Sequence, residues 1–99
     1  MFESIRNKIR EIVRALDYVM TIHAEEEMVN DGLTVFDIEN AILSGEINER
    51  QKDNETGEWK YLISGTTLDD NGIIVVGKLS VTNKLIIITV YIESDGSTN

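Results

Sequence analysis

The amino-acid sequence predicts an α+β domain, in which helices pack on one face of a twisted antiparallel sheet of four to five strands. An additional helix precedes this core. Before Gly45 most apolar residues recur at helical spacings, whereas after Gly45 they alternate with a period of two. Strong turn sequences divide the second half into a meander of four strands. A chain of 99 residues forms a single domain around one core.

The elements before Gly45 are predicted to be a helix, a short strand and two further helices. They are expected at residues 2–16, 18–22, 23–30 and 34–44. Asp31-Gly32 is a stop signal for the second helix. Thr34 and Asp37 have the spacing of a capping box, with Asp in place of the usual Glu or Gln. The third helix therefore begins just after Thr34.

The strands of the meander are expected at residues 46–51, 58–68, 73–81 and 84–92. The last two are apolar on both faces, which is typical of strands covered on both sides. Two short helices cover one face, so the other face needs the N-terminal helix or a partner chain. Gly65 and Gly77 lie inside strand patterns and predict bulges or close backbone approaches. Residues 93–99 are expected to form a flexible polar tail.

Composition and charge exclude several classes of function. The chain has no cysteine, which excludes disulfides and thiolate metal sites. The net charge is −9, divided into +2 over residues 1–16 and −11 over residues 17–99. An acidic body repels phosphate backbones, so nonspecific nucleic-acid binding by the body is not expected. The basic N-terminal helix either contacts something anionic or docks on its own acidic domain.

No segment is apolar enough to span a membrane. The longest nearly continuous apolar run covers residues 85–92, whereas a spanning helix needs about 20 residues. The first residues do not resemble a signal peptide. A cytoplasmic protein is therefore expected. No cofactor is predicted.

His23, the only histidine, lies where the first strand gives way to the second helix. Its unperturbed pKa lies near working pH, which makes it a candidate general acid or base. The alternative is a structural histidine at a helix start, whose ring bonds a neighbouring backbone group or carboxylate. Glu26 and Glu27 can share its helix face, but no second histidine or cysteine supports a metal site, and none is predicted.

Several short motifs carry a resemblance to a known group of proteins. They are His23-Ala24, Met28, Gly32-Leu33-Thr34, Gly45 and Ile88-Thr89-Val90-Tyr91. In this order the chain resembles a domain-of-unknown-function branch of the RelE/ParE-like toxin superfamily. The resemblance covers residues 18–92 and leaves residues 1–17 as an N-terminal extension. It implies a toxin component of a toxin–antitoxin pair, with an antitoxin-like protein partner and RNA as the substrate of a ribonuclease.

On the ribonuclease reading, His23 is the acid or base, and a few residues on the strands hold RNA. The candidate binding residues are Arg50, Lys60, Lys78 and Tyr91. The three cations would offset phosphate charge, and the tyrosine would stack a base. The alternative is that these are edge-strand charges that deter aggregation and an aromatic side chain of the core or an interface.

A second function of another class fits the same sequence. Related sequences often carry Arg at the positions of Glu27 and Asp31, and both exchanges reverse the charge. This favours a non-catalytic protein–protein interaction domain that keeps the fold. Its acidic body would bind a basic partner, or form a homodimer through the apolar sheet face.

Overall fold

The computed structural model describes residues 1–93 and contains three helices and five strands. The helices are α1 (Glu3–Arg14), α2 (Ile22–Asn30) and α3 (Val35–Ser44). The strands are β1 (Tyr18–Met20), β2 (Glu46–Lys52), β3 (Trp59–Thr66), β4 (Gly72–Leu79) and β5 (Leu85–Ile92). The predicted order of elements is confirmed. The expected tail lies outside the described residues, apart from Glu93.

The five strands form one sheet in the order β1-β5-β4-β3-β2. Strands β2 to β5 make the predicted antiparallel meander, whereas β1 pairs in parallel with β5, with Tyr18 opposite Leu85. The sheet is therefore mixed rather than antiparallel throughout. Parallel neighbours need a long connection, and here two helices and three strands separate β1 from β5 along the chain.

All three helices pack on one face of this sheet. A single core cluster joins helix residues to the inward side chains of the strands. The fully buried members include Ile9, Val13, Ala24, Ile38, Ala41, Ile73, Val75, Leu85, Ile87 and Val90. Burial of each large aliphatic side chain contributes about 1.5–3 kcal/mol, so this one interface supplies most of the apolar stabilisation.

Helix α3 lies directly on β3 because Gly65 has no side chain. A Cβ atom on Gly65 would lie 2.0 Å from the carbonyl oxygen of Ala41 and 2.8 Å from its Cα atom. The predicted close backbone approach at Gly65 is therefore confirmed. Gly77 lies at a register shift between β4 and β5, which confirms the predicted bulge.

The N-terminal helix α1 docks on its own domain. Arg6 binds the carboxylate of Glu46, and Nη2 of Arg10 donates to the carbonyl of Gly45 over 2.9 Å. Ile9 and Val13 enter the same core as α2 and α3. Because α1 lies on the face that the other helices cover, it does not cover the opposite face of the sheet.

The start of α3 is fixed by the predicted capping box, which also ties the helix to the β3–β4 turn. The Thr34 hydroxyl accepts from the backbone of Asp37, and the Asp37 carboxylate accepts from the backbone of Thr34. Oδ1 of Asp37 accepts a further bond from the backbone N–H of Leu68, over 2.9 Å. Across residues 1–93, no helix is long and apolar enough to cross a membrane.

Replacement of Gly65 by alanine should destabilise the fold by about 3 kcal/mol, because the new methyl group overlaps the Ala41 backbone and α3 must move off the sheet. Urea denaturation measures the loss. Gly72→Ala is the matched control, since its Cβ would meet only the flexible Glu93 side chain, at 3.1 Å. Equal stability of the two variants would contradict this account of the contact between α3 and β3.

Candidate functional site

His23 lies at the outer edge of the sheet, where the chain leaves β1 and enters α2. The hydroxyl of Thr21 accepts from the backbone of Ala24 and donates to the carbonyl of Ile88, both over 3.1 Å. Thr21 is therefore the N-cap that joins α2 to β5. His23 follows this cap as the second residue of α2, and its side chain is 67% exposed.

Glu27 completes the edge of β5. In the described part of the chain β1 pairs with β5 only up to Ile87, so beyond Ile87 β5 has β4 on one side and no strand on the other. Oε1 of Glu27 accepts from the backbone N–H of Val90 over 3.0 Å and from the hydroxyl of Thr89. A carboxylate thus satisfies an edge donor that a longer β1 would have paired.

The ring of His23 lies beside this carboxylate, with Nε2 3.4 Å from Oε1 of Glu27. A contact of the ring with a neighbouring carboxylate is what the structural alternative for His23 predicts. The hydrogen bonds that Glu27 accepts from β5 give this acid a structural role. Sequence reasoning considered Glu27 only for its charge and its position beside His23, and missed this role.

Of the predicted binding residues, the structure brings only Lys60 and Lys78 together. Tyr61 pairs with Gly77, so the two lysines are neighbours on the face of the sheet opposite the helices. Nζ of Lys78 donates to Oε1 of Glu58 over 2.8 Å, and Nζ of Lys60 lies 3.9 Å from Oδ2 of Asp53.

Both lysines therefore have acidic partners within the β2–β3 hairpin. The hydrogen bond from Lys78 lowers the pKa of Glu58 below its usual range. The backbone N–H groups of Glu55 and Thr56 lower the pKa of Asp53. These carboxylates stay ionised at neutral pH, so part of the positive charge of each lysine is offset by a neighbouring acid.

Arg50 and Tyr91 lie elsewhere. Arg50 pairs with Tyr61 and shares its face, which is the face of the helices. Its guanidinium lies 4.1 Å from the centre of the Trp59 ring, a cation–π contact. Tyr91 pairs with Ile74 near the opposite end of the sheet from Lys78. Arg50 thus lies on the opposite face of the sheet from Lys60 and Lys78.

The sheet face opposite the helices has an apolar centre, and we call it the open face. Its central side chains are Leu62, Ile74, Val76 and Ile86. Ile74 and Val76 are each 7% exposed, because their neighbours on the sheet surround them. Tyr91 and Val19 extend the apolar surface and are 41% and 49% exposed. No helix in residues 1–93 packs over these side chains.

The two ends of the open face carry opposite charges. Oγ of Ser64 donates to Oε1 of Glu93 over 3.3 Å, and a Cβ on Gly72 would lie 3.1 Å from the same oxygen. The Glu93 carboxylate therefore lies over β3 and β4 at one end, and Lys60 and Lys78 lie on the same two strands at the other. Sequence reasoning assigned Glu93 to the tail and missed this arrangement.

An acidic cleft lies at the end of α2. It has a volume of about 870 Å³. Its carboxylates belong to Asp31, Asp37, Asp69, Asp70 and Glu93, and the lining residues include no Lys or Arg. Among residues 1–93 no cluster of three or more His, Asp or Glu side chains is arranged to hold a metal ion. This cleft offers no positive side chain to an anionic ligand.

Replacement of Glu27 by alanine should lower the free energy of unfolding by about 2 kcal/mol, because the Val90 N–H and the Thr89 hydroxyl lose a charged acceptor. Glu26→Ala is the matched control, since Glu26 is exposed on the same helix and should change stability by less than about 0.5 kcal/mol. Urea denaturation of both variants measures the difference. Equal effects would contradict the edge-capping role of Glu27.

Asp37 should make the fold sensitive to acid. Backbone hydrogen bonds from Thr34 and Leu68 lower the pKa of Asp37. The stability that it contributes is therefore fully present above the ordinary Asp pKa and lost as pH falls below about 4. Urea midpoints at neutral pH and near pH 3 should differ less for Asp37→Asn than for the wild type. An equal or larger pH dependence in the variant would contradict this assignment.

Comparison with known proteins gives one match. The model of the family described as Domain of unknown function (DUF4258) matches residues 20–92. Helix α1 lies outside the matched range. Comparisons with curated proteins and with solved structures gave no match. Because the match covers most of the chain, from the end of β1 to the end of β5, the protein belongs to the DUF4258 family.

Proposed function

We propose that this protein is a non-catalytic protein–protein interaction domain that binds its partner through the open face. The observation that carries the proposal is an apolar strip on β3, β4 and β5 that no helix of residues 1–93 covers. Strands that are apolar on both faces are typical of sheets covered on both sides. A protein partner covers the partly exposed apolar side chains of this face, which belong to Leu62, Ile86 and Tyr91.

The arrangement of charged residues supports the same proposal. His23 lies at the β5 edge beside an acid, whereas Lys60 and Lys78 lie on β3 and β4 next to Glu58 and Asp53. General acid–base catalysis on RNA needs a proton-transfer group and cations around one phosphate. The separation of His23 from the lysines, in a chain of net charge −9, favours binding over catalysis.

The second candidate is the toxin-like ribonuclease that the RelE/ParE-like resemblance implies. The observation that favours it is the order of elements in residues 18–92, a strand, a helix pair and a meander ending in Ile88-Thr89-Val90-Tyr91. On this reading His23 is the acid or base, and Lys60, Lys78 and Arg50 contact phosphates. An antitoxin-like chain would be its partner. A cytoplasmic location is part of both proposals.

The interaction proposal predicts that one substitution on the open face removes partner binding. Leu62→Lys places a charge at the centre of the strip, opposite Glu49 on β2, which compensates it within the fold. Val29→Lys is the matched control, because Val29 is exposed on α2. In affinity capture, the wild type and Val29→Lys should retain the same partner, either this chain or another protein. Leu62→Lys should retain at least about tenfold less.

Equal retention by all three proteins would contradict the open face as the binding surface. If Val29→Lys alone lost the partner, the binding surface would instead be formed by the exposed apolar residues of α2. The toxin reading is tested separately by expressing the chain and assaying the purified protein on RNA. We expect no growth arrest and no cleavage, with His23→Ala behaving like the wild type. Arrest that His23→Ala relieves would overturn the non-catalytic proposal.

A further inference from the structure

We propose that the occupant of the open face is a second copy of this chain, packed sheet to sheet about a two-fold axis. The axis lies between the two sheets and runs perpendicular to their strands. This inference rests on the proposed function and names its partner. Its arguments are the size of the face and the distribution of charge along β3 and β4.

The open face is large enough for a dimer. Five strands about 4.8 Å apart, each up to about 26 Å long, give a footprint of roughly 500 Å². The accessible surface is larger than this footprint, because projecting side chains make the face uneven. The surface that each copy would bury therefore approaches the value for a standard stable interface, which is about 800 Å² per partner. Aligned packing of two such sheets about 10 Å apart is a common arrangement of antiparallel sheets.

The charges of the open face are complementary to themselves when one copy is reversed. Glu93 lies over β3 and β4 at the Gly72 end, and Lys60 and Lys78 lie on the same strands at the other end. A two-fold axis perpendicular to the strands reverses strand direction and leaves each strand near its own counterpart. Glu93 of each copy then meets both lysines of the other copy.

The same axis aligns the apolar residues. It crosses β3 and β4 midway between the charged ends, at Leu62 on β3 and close to Val76 on β4. Leu62 therefore packs near its own counterpart. Tyr91 and Ile86 lie on β5 on opposite sides of the axis, so the exposed tyrosine ring of one copy covers Ile86 of the other.

A strongly basic partner fits this face less well. The centre of the face is uncharged, and one of its ends is occupied by two lysines. A basic ligand would bring positive charge against Lys60 and Lys78. Most carboxylates that such a ligand needs lie instead on α2 and in the acidic cleft, which meets the open face only at its Glu93 end.

Sedimentation velocity of the full chain tests the proposal. At protein concentrations of roughly 1–200 µM and near-physiological salt, where charges beyond about 8 Å are screened, the wild type should sediment as a dimer. Leu62→Lys should raise the dissociation constant at least about 100-fold, because the axis brings both new charges together. Val29→Lys should remain dimeric. Circular dichroism melts verify that both variants fold.

A charge exchange tests the orientation of the two copies. Glu93→Lys and Lys60→Glu should each weaken self-association by about tenfold, because each places like charges together at both ends of the interface. An equimolar mixture of the two variants should form a heterodimer as tight as the wild type, since opposite charges then meet at both ends. Dimerisation without this rescue would overturn the reversed two-fold arrangement.

The outcomes separate this inference from the proposed function. A wild type that stays monomeric throughout the concentration range overturns self-association. If the affinity capture still finds another protein that Leu62→Lys loses, the interaction function stands with a different occupant. If neither measurement responds to Leu62→Lys in a folded protein, both proposals fail.

Discussion

The direct contact of α3 with β3 determines which face of the sheet is covered. Gly65 presents bare backbone to Ala41, so the helix lies close to the sheet, and Ile38 and Ala41 enter the core without gaps. The other two helices are held around α3. Arg10 joins α1 to the carbonyl of Gly45 at the end of α3, and Thr21 fixes α2 to β5. With α3 in this position, the buried apolar side chains of all three helices lie on one side of the sheet, and no helix of residues 1–93 lies on the opposite side.

Glu27 shows how a short β1 is compatible with a stable sheet edge. An unpaired strand edge exposes donors that attract other strands, and a side-chain acceptor at that position protects it. Glu27 supplies this acceptor to Val90 and Thr89, and His23 lies against the same carboxylate. The acid at this position therefore has two consequences. It places a carboxylate beside His23 and, at the same time, satisfies the backbone donor at the edge of β5.

Features set by local chemistry could be predicted from the sequence. Thr34 and Asp37 form a capping box within four residues, and Gly65 interrupts a strand pattern where a side chain would not fit. Features that depend on distant partners could not. The bond from Glu27 to Val90 joins residues 63 positions apart. A register shift between Ile47 and Glu49 changes the alternation of β2 and turns Arg50 to the face of the helices, and no local pattern of the sequence predicts this shift.

Because Ile74 and Val76 are already buried in the single chain, the fold and the proposed association can be considered separately. Both side chains face away from the helices, yet each is only 7% exposed in the single chain, because residues on neighbouring strands cover them. The sheet therefore does not need a partner to exclude water from the side chains of its central strand, β4. The proposed partner would bury the partly exposed side chains around this centre, which belong to Leu62, Ile86 and Tyr91. A face of this kind belongs to a domain that folds alone and associates afterwards, in contrast to an obligate interface, which resembles a core divided in two. Substitutions on the open face should therefore affect binding more than folding, and this is the property that lets the interaction be tested in a folded protein.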